Sequence, residues 1–209
     1  MVHKTPHIPE SVIRRLPIYL RHLKHLQENE TSTMSSHDLG AQLDLNPAQI
    51  RKDLAFFGEF GRKGLGYDVR YLIDKIEQIL KLDRNIPVAL VGVGHLGIAL
   101  CHYNQNKPNN LVISYAFDRD PGKVGLSIGP VTIQPDSALE SVLPAHDIRV
   151  AIITVPAEHA QVVADRLVAA GVTAILNFAP TPLRVPPTVH LRTADFTSEL
   201  QSLAYYTFD

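Results

Sequence analysis

A glycine-rich segment directly after an apolar run is the clearest chemical signal in the sequence. Residues 88–91 have the composition of a buried strand, and a helical segment begins near Ile98. Between them stand six residues in a Gly-x-Gly-x-x-Gly pattern: Gly92, Val93, Gly94, His95, Leu96 and Gly97. Such glycines allow a tight turn, close approach of a pyrophosphate, and close packing of helix on strand. Phosphate oxygens then meet the N–H groups at the positive end of the helix. The pattern predicts a dinucleotide site, and the flanking strand and helix strengthen it.

An acidic residue stands where such a site needs one. Asp118 ends the next apolar run, about 20 residues after the last glycine, where a carboxylate binds the ribose hydroxyls. Its charge would repel a 2′-phosphate, which favours NAD(H) over NADP(H), although the adjacent Arg119 could accept that phosphate. The alternative is a capped turn with no ligand, and the spacing disfavours it.

Further candidates for the cofactor site follow later apolar runs. Thr154 and Pro156 follow one run and Asn177 ends the next, so we expect them at the carboxyl edge of a parallel sheet, where ligands bind. Hydride transfer would also need a proton donor or a metal beside the substrate carbonyl. The histidines show neither metal spacing nor an orienting carboxylate. The sequence therefore predicts no catalytic residue and no metal, and we interpret the cofactor as a signal and not as a reagent.

The front of the chain has the pattern of a DNA-reading helix. Asn46 and Pro47 are typical of a helix start, and Ile50, Leu54 and Phe57 share its buried face. The outer side is predicted to carry Gln49, Lys52 and Phe56, with Arg51 on its shoulder, and these four side chains can contact DNA. Glutamine can pair with an adenine edge, arginine or lysine with guanine, and an exposed phenylalanine with a thymine methyl. A surface helix with scattered charges is the simpler alternative.

A glycine-bracketed basic hairpin follows that helix. Arg62 and Lys63 lie among four glycines between residues 58 and 66, and an amphipathic helix comes next. A hairpin after a recognition helix is the wing of a winged helix, where arginine and lysine suit the minor groove. A β-turn with solvated charges is the alternative for the hairpin alone, but the combination of elements is more specific.

Composition indicates a folded protein of more than one unit. The chain has 209 residues, 45% hydrophobic and 20% charged, which excludes a disordered tail protein and a collagen-like fibre. No apolar run is long enough to span a membrane, and no secretion signal is visible. Cys101 is the one cysteine, so we expect no internal disulfide, no Cys-cluster zinc site, and a reducing, cytoplasmic location.

The order of patterns predicts the architecture. Short helices occupy the front, and apolar runs alternate with helical stretches from Ile86 onward, as in βαβ units around a parallel sheet. Pro17 should kink or end the first helix, and Gly58 should end the third. We therefore predict an α/β protein with a winged helix-turn-helix domain (residues 1–84), a Rossmann-like parallel-sheet domain (85–192) and a C-terminal helix (193–209).

Taken in order, these segments resemble the Rex family of redox-sensing transcriptional repressors. The resemblance covers nearly the whole chain and rests on the following stretches: residues 50–58, the 61–67 wing, the 92–97 loop, Asn177-Phe178-Ala179-Pro180, and 195–203. It implies a homodimer that binds an inverted-repeat operator in double-stranded DNA when NADH is scarce. It also implies that NADH closes the dimer and releases DNA, while NAD⁺ competes with a weaker effect.

The resemblance also implies roles for residues that no local pattern singles out. The C-terminal helix would be swapped onto the partner subunit, with Phe196 near the nicotinamide bound by that subunit. Tyr103 matches a tyrosine that hydrogen-bonds, in the NADH form, the aspartate matched by Asp195. Arg21 matches an arginine that pairs with that aspartate in the DNA-bound form.

Other classes of protein share parts of this pattern. A small NAD-dependent oxidoreductase would use the glycine loop but leave the front domain without a role. A module that binds coenzyme A or another nucleotide could use the same loop, although Asp118 disfavours it. A structural adaptor would leave the wing glycines unexplained.

Overall fold

The computed structural model describes residues 8–56, 58, 61–62, 66–106 and 110–207. Contacts within the chain divide it into two units, Met1–Arg84 and Asn85–Asp209. Among the described residues, each unit has a hydrophobic core of its own.

Helices and a small antiparallel sheet form the described part of the first unit. The helices are α1 (Glu10–Glu28), α2 (Ser36–Leu43), α3 (Pro47–Ala55) and α4 (Val69–Ile79). The strands are β1 (Thr33–Met34), β2 (Gly61–Arg62) and β3 (Gly66–Asp68), in the order β1-β3-β2. All four helices bury apolar side chains in one core, including Leu16, Leu23, Leu39, Ile50, Leu54, Leu72 and Ile76. These helices confirm the helical part of the winged helix-turn-helix domain that was predicted at the N-terminus.

Capping side chains decide where these helices begin. Ser35, Asn46 and Asp68 each accept a hydrogen bond from an N–H in the first turn of α2, α3 and α4, respectively. Pro17 lies inside α1 without ending it, so the alternative of a short first helix is wrong. The burial of Leu16 and Leu20 on both sides of this proline holds the helix together despite the missing N–H.

The end of α3 and the hairpin after it differ in detail from the prediction. The last helical residue is Ala55 and Phe56 is the C-cap, so α3 ends before Gly58. Strands β2 and β3 pair antiparallel, with Arg62 opposite Gly66, as a wing hairpin requires. Lys63 and Phe57 lie outside the described residues.

The second unit contains a sheet in the order β10-β9-β8-β4-β5-β7-β6. Its strands are β4 (Ile86–Val91), β5 (Leu111–Asp118), β6 (Ser127–Ile128), β7 (Val131–Pro135), β8 (Val150–Ile153), β9 (Ala174–Asn177) and β10 (His190–Thr193). Neighbours pair parallel except β6 with β7. Its helices are α5 (His95–Gln105), α6 (Leu139–Ala145), α7 (Ala157–Ala169) and α8 (Phe196–Ala204).

This topology confirms the predicted Rossmann-like sheet. The chain runs from β4 outward through β5 and β7, then returns to β8 on the other side of β4. Ligands bind beyond the carboxyl ends of parallel strands at such a reversal. Strand β10 was not predicted, because it is a partly exposed edge strand without an apolar run. None of the helices in the described ranges combines the length and apolarity needed to cross a bilayer.

Candidate functional site

The loop after β4 has a backbone that only glycine satisfies. Gly92 has a φ of +98°, and a Cβ there would lie 2.7 Å from the carbonyl oxygen of Thr154. A Cβ at Gly97 would collide with the carbonyl oxygen of Gly92. By contrast, a Cβ at Gly94 would have no protein atom within 4 Å. The first and last glycines are therefore required by packing, whereas Gly94 keeps open space beside the loop.

That open space belongs to a cavity at the carboxyl edge of the sheet. The cavity has a volume of about 780 Å³. The ends of β4, β5 and β8 contribute the predicted residues Gly92, Gly94, Asp118, Thr154 and Pro156 to its wall. Helix α5 begins at His95, directly after Gly94, so the N–H groups of its first turn lie next to this space. A helix start and a glycine without side-chain bulk together fit a pyrophosphate.

Asp118 is held in a fixed orientation at this cavity. Its side chain accepts hydrogen bonds from the N–H of Val93 at 2.7 Å and of Asp120 at 2.9 Å, and from Lys123 Nζ at 3.1 Å. Burial alone would raise the pKa of Asp118, but these three donors outweigh burial and lower it. Asp118 is therefore a carboxylate at neutral pH, and its hydrogen bond from Val93 connects it to the glycine loop. A ribose with two hydroxyl donors fits such a group.

Two predicted cofactor residues use their polar atoms within the protein. The Thr154 hydroxyl donates to the carbonyl oxygen of Gly92 at 2.6 Å, so it ties β8 to the glycine loop. The Asn177 amide is fully buried and bonds Ala179 and Thr181 in the turn after β9. Asn177 does not line the cavity, because its side chain closes its own turn.

The residues assigned to the loop and the nicotinamide end differ in position. Val93 is buried, and His95 and Leu96 are exposed at the start of α5. Tyr103 on α5 and Phe196 on α8 are 62% and 74% exposed and do not line the cavity of this single chain. Their predicted contacts with a cofactor stay predictions.

The residues of the predicted switch are likewise separate in the single chain. Arg21 is exposed on α1. Asp195 is the N-cap of α8, accepting from the N–H groups of Thr197 and Ser198 and from the Ser198 hydroxyl. The Ser198 hydroxyl, followed by these N–H groups, lowers the pKa of Asp195. Among the described residues of α8, none is buried.

Several cavity residues were missed by sequence reasoning. Lys123 pairs with Asp118, five positions earlier, and His159 Nε2 accepts a hydrogen bond at 2.7 Å from Arg119, the arginine already considered as a phosphate partner. Arg166 on α7 lines the cavity and pairs with Asp136, which also lines it, and with Glu140. Lys123 could have been suspected from its short spacing to Asp118, whereas the other pairs join distant segments. No cluster of potential metal ligands occurs in the described ranges.

In the first unit, α3 presents part of the predicted DNA-reading set. Arg51 and Lys52 are exposed, and Arg51 also donates to the Ser36 hydroxyl at the start of α2. Phe56 is half-buried and not fully exposed. Gln49 is half-buried, and its amide donates to Asp53 at 2.6 Å, so its predicted contact with a base stays a prediction. Asp53, which accepts this bond, is buried one turn later on the same helix.

Family models match both units of the chain. A model described as "Putative DNA-binding protein N-terminus" matches residues 7–55, and one described as "CoA binding domain" matches residues 83–181. Among curated proteins, the chain is 55% identical to a redox-sensing transcriptional repressor Rex of Brevibacillus brevis, over 95% of this chain and 96% of that one. It is 47% identical to the Rex protein of a Roseiflexus species, over 95% and 90% of the two chains.

Solved structures give the same result. The chain is similar to RSP, a Rex-family repressor. RSP in complex with β-NAD⁺ and operator DNA matches with a TM-score of 0.89 and 35% identity, over 95% of this chain and 92% of that one. RSP in complex with β-NADH matches with a TM-score of 0.86 and 34% identity, over 96% and 94%. With both units matched, the chain belongs to the Rex family of redox-sensing transcriptional repressors.

Proposed function

We propose that this protein is a transcriptional repressor that senses the NADH/NAD⁺ ratio. It binds an inverted-repeat operator as a homodimer, acts in the cytoplasm where that DNA is, and leaves the operator when NADH binds. The observation that carries the proposal is the open space over Gly94 beside the fixed carboxylate of Asp118, in a chain that also carries the exposed cations of α3.

The residues around the cavity divide the work of holding a dinucleotide. The first turn of α5 faces the pyrophosphate, Gly94 allows its approach, and Asp118 accepts from the ribose. The oxidised nicotinamide carries a positive charge and the reduced one is neutral. An apolar side chain such as Phe196 over the ring would disfavour the cation, because burying an unpaired charge is costly. NADH is therefore the ligand that closes the site.

Closure is coupled to DNA through Asp195. In the proposed cycle, Asp195 of one subunit pairs with Arg21 when the protein is bound to DNA, and with Tyr103 when NADH is bound. A ligand shifts such an equilibrium only by its differential affinity for the two states. Moving the population from 1:99 to 99:1 needs about 5.5 kcal/mol, so this exchange must act together with the contacts around the nicotinamide.

The effect on DNA is geometric. Lys52 and Arg51 of two subunits must reach half-sites one helical turn or a multiple apart, with Arg62 and Lys63 of the wing at the adjacent minor groove. Closing the dimer changes the distance between the two copies of α3. No catalytic role is assigned to any residue, in keeping with relatives that are repressors and not enzymes.

A titration with a duplex selected by the protein from a randomised library tests the proposal. Fluorescence anisotropy should show tight binding without cofactor and with NAD⁺, and release as NADH is added. Light scattering should give a dimer in both states. Equal binding in saturating NADH and NAD⁺, or turnover of NADH with a panel of carbonyl compounds, would contradict it.

A further inference from the structure

The recognition helix contains a buried carboxylate that the proposed function does not use. Asp53 lies on α3 directly after Lys52, and its side chain has no exposure to solvent. Ile50 and Leu54 flank it on the same inner face, where a helix of this kind normally places apolar residues. The chain instead places a charge in the core of its DNA-reading unit.

Four hydrogen bonds surround this carboxylate. Arg15 of α1 donates from Nε to Oδ2 at 2.5 Å and from Nη2 to Oδ1 at 2.8 Å. The Tyr19 hydroxyl, one turn further along α1, donates to Oδ2 at 2.7 Å, and Gln49 of α3 donates to Oδ1 at 2.6 Å. Burial raises the pKa of Asp53, but the bonds from Arg15, Tyr19 and Gln49 outweigh burial and lower it. Asp53 is thus ionised and fully satisfied.

Stability alone does not explain this arrangement. Removing a carboxylate from water costs several kcal/mol, and a buried ion pair can often be replaced by apolar residues of similar volume without loss of stability. The hydrophobic effect is nondirectional, so apolar contacts constrain the rotation of α3 about its axis only through the shapes of the packed side chains. A two-pronged arginine–carboxylate pair accepts one relative orientation of its two partners.

The orientation of α3 matters because its outer face carries the DNA contacts. Asp53 and Lys52 belong to one helix, in which successive residues point about 100° apart. Any rotation of α3 about its axis therefore moves both residues by the same angle. Arg51 is already tied to α2 through the Ser36 hydroxyl. The Asp53 cluster supplies the corresponding polar tie to α1, and Gln49 is a member of that cluster.

We propose that Asp53, with Arg15 and Tyr19 of α1, is a positioning element that sets the rotation of the recognition helix and thereby the sequence specificity of DNA binding. The inference rests on the proposed function, since it concerns how the operator is read. Arg15, Tyr19 and Asp53 need not touch DNA. The cluster acts by keeping Lys52 and Arg51 at one angle, so its loss should harm the operator more than unrelated DNA.

The test uses the full-length protein and two variants of the cluster. Arg15→Met/Tyr19→Phe/Asp53→Leu replaces the polar cluster by apolar side chains, and Asp53→Asn keeps the shape but removes the charge. Glu77→Gln is the matched control, because Glu77 also pairs with a cation of α1, Lys24 at 2.6 Å, but from α4. Affinity is measured for the selected operator and for a shuffled duplex, at several salt concentrations, with the melting temperature and NADH affinity alongside.

Both cluster variants should bind the operator about 10-fold more weakly, equivalent to about 1.4 kcal/mol. Their affinity for the shuffled duplex and their salt slope should match those of the wild type, because no phosphate contact is lost. Glu77→Gln should keep the full specificity ratio, and Lys52→Ala should instead reduce the salt slope by about one.

A folded triple variant with the wild-type specificity ratio would overturn the inference. If the triple variant fails to melt cooperatively, Asp53→Asn decides in the same way. Loss of affinity for both duplexes in equal proportion would also overturn it, since that result indicates general damage. If the wild type itself selects no duplex, the proposed function fails, which is distinguishable from failure of the positioning role.

Discussion

Within the part of the chain that the structure describes, each unit buries one aspartate carboxylate, and the two carboxylates differ in the groups that bind them. Asp53 is 0% exposed and Asp118 is 8% exposed, and the pKa of both is lowered because hydrogen bonds outweigh the opposite effect of burial. Asp53 accepts four hydrogen bonds from side chains of two helices, α1 and α3. Asp118 receives two backbone N–H groups and one lysine, and it faces a cavity.

This difference distinguishes a carboxylate that joins two helices from one that can bind a ligand. A carboxylate fully enclosed by side chains has no capacity left for a ligand, so its effect is to fix the elements that carry the donors. A carboxylate anchored by rigid backbone groups, with one flexible lysine as its remaining partner, can exchange that partner for ligand hydroxyls. Lys123 is 37% exposed at its side chain and can turn away from Asp118. Enclosure, more than burial, therefore distinguishes the two roles.

The largest effect is expected from a substitution that fills the open space at Gly94, in the cavity that Asp118 faces. Gly94→Val places a branched side chain where a pyrophosphate would lie, so NADH affinity should fall by about 100-fold or more, about 2.7 kcal/mol. The melting temperature should hardly change, because a Cβ at Gly94 meets no protein atom. Operator binding should persist at NADH concentrations that release the wild type. Release at the wild-type NADH concentration would contradict the assignment of this loop.

A smaller effect is expected from Asp118→Asn, and it concerns NADH binding, whereas Asp53→Asn concerns operator binding. The variant keeps the shape of the side chain but weakens acceptance from the ribose, so NADH affinity should fall about 10-fold. Without NADH, its operator affinity should equal that of the wild type, as calorimetry for the cofactor and anisotropy for DNA would show. If Asp118→Asn weakened the operator and left NADH unchanged, the distinction between the two carboxylates would be wrong.

The sequence predicts the features that depend on a short stretch of chain, and it does not predict those that depend on contacts between distant segments. The glycine loop and Asp118 could be predicted because their requirements are backbone requirements, expressed by residue type and spacing over a short stretch. The parallel strands other than β10 could be predicted for the same reason, since each forms a local apolar run. The reversal of strand order beside β4 follows from these units and placed the cavity where expected.

Contacts between distant segments escaped prediction. Asp53 stands 38 residues from Arg15 and 34 from Tyr19, and nothing local marks it as buried. Asn177 was correctly placed at a strand end, but strand position fixes its backbone and not the direction of its amide. The contacts expected of Tyr103, Phe196 and Asp195 depend on a second chain, so neither the sequence pattern nor the fold of one chain determines them.

The smallest expected effect concerns the free energy of unfolding at acidic pH, and it tests whether the Asp53 carboxylate is charged in the folded protein. Its folded-state pKa lies below the unfolded value near 3.9, so the unfolded state binds more protons in this range and stability falls as the pH falls through the folded pKa. One group contributes at most about 1.4 kcal/mol per pH unit. Asp53→Asn removes this contribution, so the gap in stability between wild type and variant should stay constant from pH 7 to about pH 5 and narrow below that, as the pH falls through the unfolded and then the folded pKa. Urea midpoints across this range measure it, with Glu77→Gln as the control. A gap that stays constant with pH would mean that the Asp53 carboxylate is not the charged centre of the α1–α3 joint.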